Sequence, residues 1–215
     1  MDPLTVALPK GRMQDEVLGI FAEAGYRTEP DAGRKLIFPD VTGRLRFLLA
    51  KPGDVPTYVE YGAAAFGIAG LDTVREGGHD LYEPLSLGVG KCHLALAGPA
   101  SWLGRDLRKV PYLRVASKYP RLAQQYFQQR DLSVEIIYLS GSIELAPVVG
   151  LSDLLVDLVQ SGRTLKENGL VELETLMESE AVLVVNRAVH KLRAAEIRTV
   201  VDSLADVLAR RKELR

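Results

Sequence analysis

Asp157 and, four residues later, Ser161-Gly162-Arg163-Thr164 are the residues whose types and spacing can do chemistry together. They follow the short apolar run Leu154-Leu155-Val156, which continues through Leu158-Val159, and they precede Leu165, where helical spacing resumes. The pattern predicts a strand ending in a small-residue loop that opens a helix. Such a loop turns backbone N–H groups, hydroxyls and a helix N-terminus towards one point, the arrangement that cradles a phosphate. Gly162 removes the Cβ that would keep an anion away from the backbone. Ser161 and Thr164 add hydroxyl donors, and Arg163 adds a fixed positive charge. Asp157, near the strand end, can accept hydrogen bonds from a sugar diol. One ribose 5-phosphate would then be held by its phosphate and its hydroxyls side by side. Taken alone, Ser-Gly-x-Thr also reads as a capped turn. The spacing and lysine of a P-loop are absent.

The remaining pattern supplies elements to position these groups. Thr5–Leu8 reads as a first strand ending at Lys10-Gly11-Arg12, a basic turn that also reads as merely solvated. A helix follows with Val17, Ile20, Phe21 and Ala24 on one face, closed by Gly25. Leu36–Phe38 and Leu45–Leu49 are predicted strands, and Lys51 comes directly after. Asp54 is a candidate N-cap for a short helix to Tyr61; Ala64–Ile68 is a strand, and Gly70-Leu71-Asp72-Thr73 a small turn. Further strands are expected at Leu81–Leu87, His93–Ala97, Arg114–Ala116, Val134–Leu139, Val171–Met177 and Ala181–Asn186. Helices are expected at Tyr119–Arg130, at Ser142–Val149 with Ser142 as N-cap, and from about Val189 to the end, with Leu192 on its apolar face. Alternating strands and helices argue α/β. The runs form two groups that meet near Gly88–Gly90 and Ser179–Ala181. The expected lobes are therefore residues 1–90 plus 180–215, and residues 91–179.

Composition excludes several classes. The chain has 215 residues and a formal net charge of −1, which argues against a general nucleic-acid or membrane-surface binder. Cys92 is the one cysteine, so no intrachain disulfide forms, and a reducing cytoplasm suits the chain. Cys92 leads into an apolar strand and reads as a buried strand residue rather than a nucleophile. His79, His93 and His190 lack metal-type spacing. No signal-peptide pattern and no run of about 18 apolar residues is present.

The stretch Glu144-Leu-Ala-Pro-Val-Val-Gly150-Leu-Ser-Asp153-Leu-Leu155-Val-Asp157-Leu-Val-Gln-Ser161-Gly162-Arg163-Thr164-Leu165 resembles the signature of the ATP phosphoribosyltransferase family. The Glu, the first Gly, the Asp and the Ser-Gly-x-Thr-Leu stand at the family's separations. Leu155 departs from the usual Ile or Val and stays apolar. The likeness runs from Leu8-Pro-Lys10-Gly-Arg12 to Ser179–Asn186, essentially the whole chain.

The resemblance implies a two-lobed, type II periplasmic-binding-protein-like fold with a substrate crevice between the lobes. It implies transfer of phosphoribosyl from phosphoribosyl pyrophosphate to N1 of ATP, with Mg²⁺, as the first step of histidine biosynthesis in the cytoplasm. The Asp157, Ser161, Gly162, Arg163, Thr164 and Leu165 positions would hold phosphoribosyl pyrophosphate. Glu144 would face substrate hydroxyls or Mg²⁺, or form only a salt bridge. Lys10, Arg12, Arg34 and Lys51 would face the triphosphate and the departing pyrophosphate, with Lys10, Arg12 and Lys51 the catalytic cations. Gly70, Leu71 and Asp72 would border the adenine. Lys51 stands where many relatives have Arg, which keeps the charge and loses the bidentate fork. Asp153 shares Asp157's strand face but lies about 13 Å away, at about 3.3 Å per residue, so it reads as a structural cap or pair. The length matches the family's short form. It implies a regulatory subunit resembling histidyl-tRNA synthetase, in a hetero-octamer containing dimers of the catalytic chain. The Tyr58–Tyr61 helix and the last helix are candidate contacts, and a core face explains either equally well. Two other readings share these features: a solute-binding or effector module on the same fold, and a phosphoribosyltransferase acting on a free base. The second usually places two adjacent acidic residues before its loop, whereas Asp157 has no acidic neighbour.

Overall fold

The computed structural model describes residues 2–29 and 35–213. In chain order the elements begin with β1 (Leu4–Pro9), α1 (Gln14–Glu23), β2 (Ile37–Pro39), β3 (Leu45–Ala50), α2 (Val55–Glu60), β4 (Phe66–Gly70), α3 (Leu71–Gly77) and β5 (Tyr82–Ser86). Then come β6 (Cys92–Pro99), β7 (Leu113–Ser117), α4 (Pro120–Gln128), β8 (Val134–Tyr138), α5 (Leu145–Val148), β9 (Leu154–Val159) and α6 (Arg163–Glu167). The chain closes with β10 (Leu170–Ser179), β11 (Ala181–Val185), α7 (Arg187–Leu192) and α8 (Ala194–Glu213). It divides into two compact units, Met1–Gly90 with Glu180–Arg215, and Lys91–Ser179.

In the first unit the described residues form a six-stranded sheet ordered β2-β3-β1-β4-β11-β5. β1 is central and buried at every position, as a strand covered on both faces must be. Its alternation sorts the two faces. Leu4, Val6 and Leu8 join the core with Phe21, Phe47, Ile197 and Leu204, under α1 and α8. Ala7 faces the smaller core of Val55, Val59 and Val74, under α2 and α3. Gly67 in β4 leaves no room for a side chain: a Cβ there would stand 2.6 Å from Val59 Cγ2. β1, β3 and β4 run parallel, so their carboxyl ends share one edge.

In the second unit the order is β10-β6-β9-β7-β8, with β9, β7 and β8 mutually parallel. Leu154 and Val156 of β9 pack with Tyr126 and Phe127 of α4. Leu155 and Val159 pack on the other face with Ile143, Ala146 and Leu165, beside α5 and α6.

Some sequence expectations change. The segment expected to be helical from Ser142 to Val149 is the single turn α5. Ser142 takes a left-handed φ of 51° and is not the N-cap, which falls at Glu144; Pro147, which offers no amide, and Gly150 (φ 74°) keep the helix to one turn. The C-terminal helix is two helices. Arg193 breaks it at φ −123°, held by Glu196 and the Asp2 carbonyl, and Leu192 becomes 83% exposed. The turn at Gly70–Thr73 is the start of α3, and Asp54 precedes α2 without a side-chain capping bond. Cys92 opens β6 half-buried. Among the described residues no helix is long and apolar enough to cross a membrane.

Candidate active site

β9 delivers the Asp157 loop as its composition demands. The strand ends at Val159, and Gly162 stands at the N-cap of α6 with φ 68°, a left-handed conformation that disfavours any residue with a Cβ. A Cβ at Gly162 would meet no protein atom within 4 Å, so the glycine serves the backbone turn and leaves the space before the loop open. The Lys166 amide donates to the Gly162 carbonyl at 3.1 Å, and the amides ahead of it have no acceptor within the helix. Ser161, Arg163 and Thr164 are exposed, and Leu165 anchors the loop in the core. Because α6 is five residues long, its dipole adds little. The donors are the loop amides, two hydroxyls and the Arg163 guanidinium.

Asp157 is half-buried, and its Oδ1 accepts from the Leu158 amide at 2.9 Å. Burial raises its pKa; the Leu158 bond opposes that shift, the Glu144 charge adds to it, and the Lys118 charge opposes it. Glu144 and Asp157 therefore sit in each other's field. Glu144 makes no ion pair among the described residues. Asp153 differs from Asp157. Its Oδ2 accepts from the Arg114 amide at 2.9 Å and its Oδ1 lies 3.4 Å from the Arg114 guanidinium, which makes it a tie between β9 and β7.

In the first unit, three neighbouring parallel strands end in residues singled out by sequence. Pro9 pairs with Ala50, and the Lys10 amide donates to the Ala50 carbonyl at 2.8 Å, so Lys10 and Lys51 leave adjacent strands side by side. Gly11 turns the chain at φ 104°, and Arg12 is exposed two residues beyond Lys10. β4 ends on the same edge at Gly70, with Leu71 and Asp72 in the first turn of α3. Asp72 is 5% exposed and folds back over Gly70, where a Cβ would stand 2.4 Å from its Oδ1. The Asp72 carboxylate is thus turned inward, against the turn from β4 into α3. Arg34 lies outside the described residues. Open α/β sheets bind ligands at the carboxyl ends of their strands, and both clusters lie there.

The ATP phosphoribosyltransferase (HisG) family model matches residues 51–206. The chain belongs to the ATP phosphoribosyltransferase family. Family members catalyse the first step of histidine biosynthesis, joining phosphoribosyl from phosphoribosyl pyrophosphate to N1 of ATP, and this is the activity of the chain. It is 51% identical to the ATP phosphoribosyltransferase of Ruminiclostridium cellulolyticum over 96% of its own length and 97% of the relative's. It is 50% identical to that of Acidithiobacillus ferrooxidans, over 94% and 95%. Among solved structures it is similar to the ATP phosphoribosyl transferase (HisG:HisZ) complex from Thermotoga maritima, with TM-score 0.84 and 31% identity over 96% of this chain and 99% of that one. The periplasmic aliphatic sulphonate binding protein SsuA of Escherichia coli shares 14% identity at TM-score 0.59, covering 100% of this chain and 71% of SsuA. That likeness is one of fold, the type II periplasmic-binding-protein-like α/β fold expected from the sequence.

Lys118 escaped the sequence reading. It follows β7 directly, beside Asp157, and the available signal was its place in Ser117-Lys118-Tyr119-Pro120, a strand end turning into a Pro-initiated helix.

Proposed function

We propose that the chain carries out its family's reaction with the 161–164 loop on the 5-phosphate, Asp157 on the ribose hydroxyls and Lys10, Arg12 and Lys51 facing the phosphates of ATP and the departing pyrophosphate. The observation that carries this assignment is the positive-φ Gly162 loop directly after the strand that bears Asp157. The adenine N1 lone pair attacks ribose C1, and the C1–O bond to pyrophosphate breaks with its electron pair on the leaving oxygen. Positive charge left on the adenine is relieved by loss of a proton from its 6-amino group. Because N1 already holds a lone pair, no strong general base is required to begin. The chain's task is to align two polyanions and to stabilise the charge that develops, for which one well-placed donor is worth roughly 3–4 kcal/mol.

Mg²⁺ is the expected cofactor. Among the described residues no group of three or more His, Cys, Asp or Glu could hold a metal. Glu144 and Asp157 offer the hard oxygen donors that suit this ion; burial raises the Asp157 pKa, and the Glu144 charge adds to that rise a repulsion that a cation would relieve. When bound, Mg²⁺ would neutralise pyrophosphate oxygens, with substrate supplying most of its ligands. Leu71 and the backbone of Gly70 and Asp72 would border the adenine.

The Thermotoga maritima complex supports a regulatory partner for this chain as well. The reading is a cytoplasmic hetero-octamer of catalytic-chain dimers with a subunit resembling histidyl-tRNA synthetase, inhibited by histidine only when assembled. Purified chain would be incubated with phosphoribosyl pyrophosphate, Mg²⁺, pyrophosphatase and either ATP or free adenine, with and without that subunit. An ultraviolet product from ATP and none from adenine is expected. Silence with ATP in both states would overturn the reading.

A further inference from the structure

The unit that bears Asp157 carries another cation at the same edge. β7 and β9 pair as Val115 with Leu154, Ala116 with Leu155 and Ser117 with Val156; one residue beyond this last pair stand Lys118, just past the end of β7, and Asp157, still within β9. Neighbouring strands lie about 4.8 Å apart. Alternation fixes the face. Ala116 and Leu155 belong to the core beside α5 and α6, whereas Val115, Leu154 and Val156 belong to the opposite core. Two residues beyond Leu155, Asp157 returns to the face that carries Ile143 and Leu165, the sequence neighbours of Glu144 and Thr164, and Lys118 follows Ala116 of that face by two residues, just past the strand end.

The backbone here is clamped on both sides. Ser117 Oγ donates to the Val156 carbonyl at 2.7 Å and accepts from the Tyr119 amide at 2.8 Å, both in the core. Pro120 then begins α4. The Lys118 side chain is exposed and forms no ion pair among the described residues. Its charge reaches Asp157, holding that carboxyl lower than burial alone would.

Charge balance gives this lysine a task. Phosphoribosyl pyrophosphate is anionic at both ends of its ribose. The loop answers the 5-phosphate with Arg163, while Asp157 and Glu144 add negative charge along the way to C1. We propose that Lys118 is a further substrate-binding residue, its ammonium meeting the pyrophosphate oxygens on the C1 side of the ribose that Asp157 holds. This inference rests on the phosphoribosyl-transfer reading and adds a contact to it.

Equilibrium binding of phosphoribosyl pyrophosphate and of ribose 5-phosphate to the whole chain tests the contact, using the parent, Lys118→Met and Lys118→Arg, each checked for an unchanged melting temperature. Lys118→Met should weaken phosphoribosyl pyrophosphate about tenfold or more, the scale of one charge-assisted hydrogen bond. Ribose 5-phosphate, which has no pyrophosphate, should weaken by less than about threefold, and Lys118→Arg should recover most of the loss. Unchanged affinity for phosphoribosyl pyrophosphate in Lys118→Met would overturn the inference while the transfer reading stands. So would an equal loss for both ligands, because that marks an effect relayed through Asp157. A parent that binds neither ligand and forms no product would overturn the transfer reading and this inference together.

Discussion

Lys10 and Lys51 leave adjacent parallel strands at one level, with Pro9 paired to Ala50 and the Lys10 amide bound to the Ala50 carbonyl. Two like charges held side by side by the sheet repel one another, and a polyanion between them removes that repulsion. Lys51→Ala should therefore lower kcat/KM for ATP by roughly tenfold to a hundredfold, with the melting temperature unchanged. Lys51→Arg should retain or raise activity, because a guanidinium adds the bidentate fork. Steady-state kinetics with ATP varied would check both.

Asp157, proposed to bind the ribose hydroxyls, is kept half-buried at a cost to stability. Its raised pKa means that the folded chain holds this proton more tightly than the unfolded chain does. Stability therefore falls as pH rises from below the unfolded value, about 3.9, through the raised folded value. Asp157→Asn cannot ionise and keeps an oxygen for the Leu158 amide. It should melt above the parent at pH 7, with the gap closing as pH falls towards about 4. Its affinity for phosphoribosyl pyrophosphate should drop by roughly 10-fold to 150-fold, the value of hydrogen bonds to a charged group. Thermal melts across pH and a binding titration read the two effects separately.

Asp153, just ahead of the same strand, should behave in the opposite way. Asp153→Ala removes the acceptor of the Arg114 amide and its guanidinium partner. A loss of about 1–2 kcal/mol in urea unfolding is expected. KM for phosphoribosyl pyrophosphate should stay within about twofold. A large KM change with stability intact would move Asp153 into the site.

Asn186 joins three elements of the first unit. Its Nδ2 donates to the carbonyls of Val59 and Glu60 at the end of α2, and its Oδ1 accepts from the Val189 amide to cap α7. Asn186→Ala should cost about 2–3 kcal/mol, the sum of a lost cap and two buried carbonyl bonds. Denaturant midpoints at constant m-value would measure it.

The elements most legible in sequence were those with strong periodicity. β1, β9 and α1 follow directly from Leu4–Leu8, Leu154–Val159 and the Val17-Ile20-Phe21 stripe. The loop from Asp157 to Leu165 was legible because residue type and spacing both mattered there. What was not legible depended on partners distant in sequence. The break at Arg193 is fixed partly by the Asp2 carbonyl, and the left-handed Ser142 breaks the local capping rule that its sequence suggested. Lys118 acquires its place only through the β7–β9 register, which no single stretch encodes.

The Gly162 loop is proposed to hold phosphoribosyl pyrophosphate for transfer to ATP. The most direct test is the rate of phosphoribosyl-ATP formation, followed by ultraviolet absorbance with pyrophosphatase present, for the parent and Gly162→Glu across a titration of phosphoribosyl pyrophosphate. Glutamate at φ 68° strains the turn and puts a negative side chain before the loop. Saturable product formation by the parent, and none by a folded Gly162→Glu at any concentration, is the predicted result. A variant that saturates at the parent's KM and kcat would contradict the account.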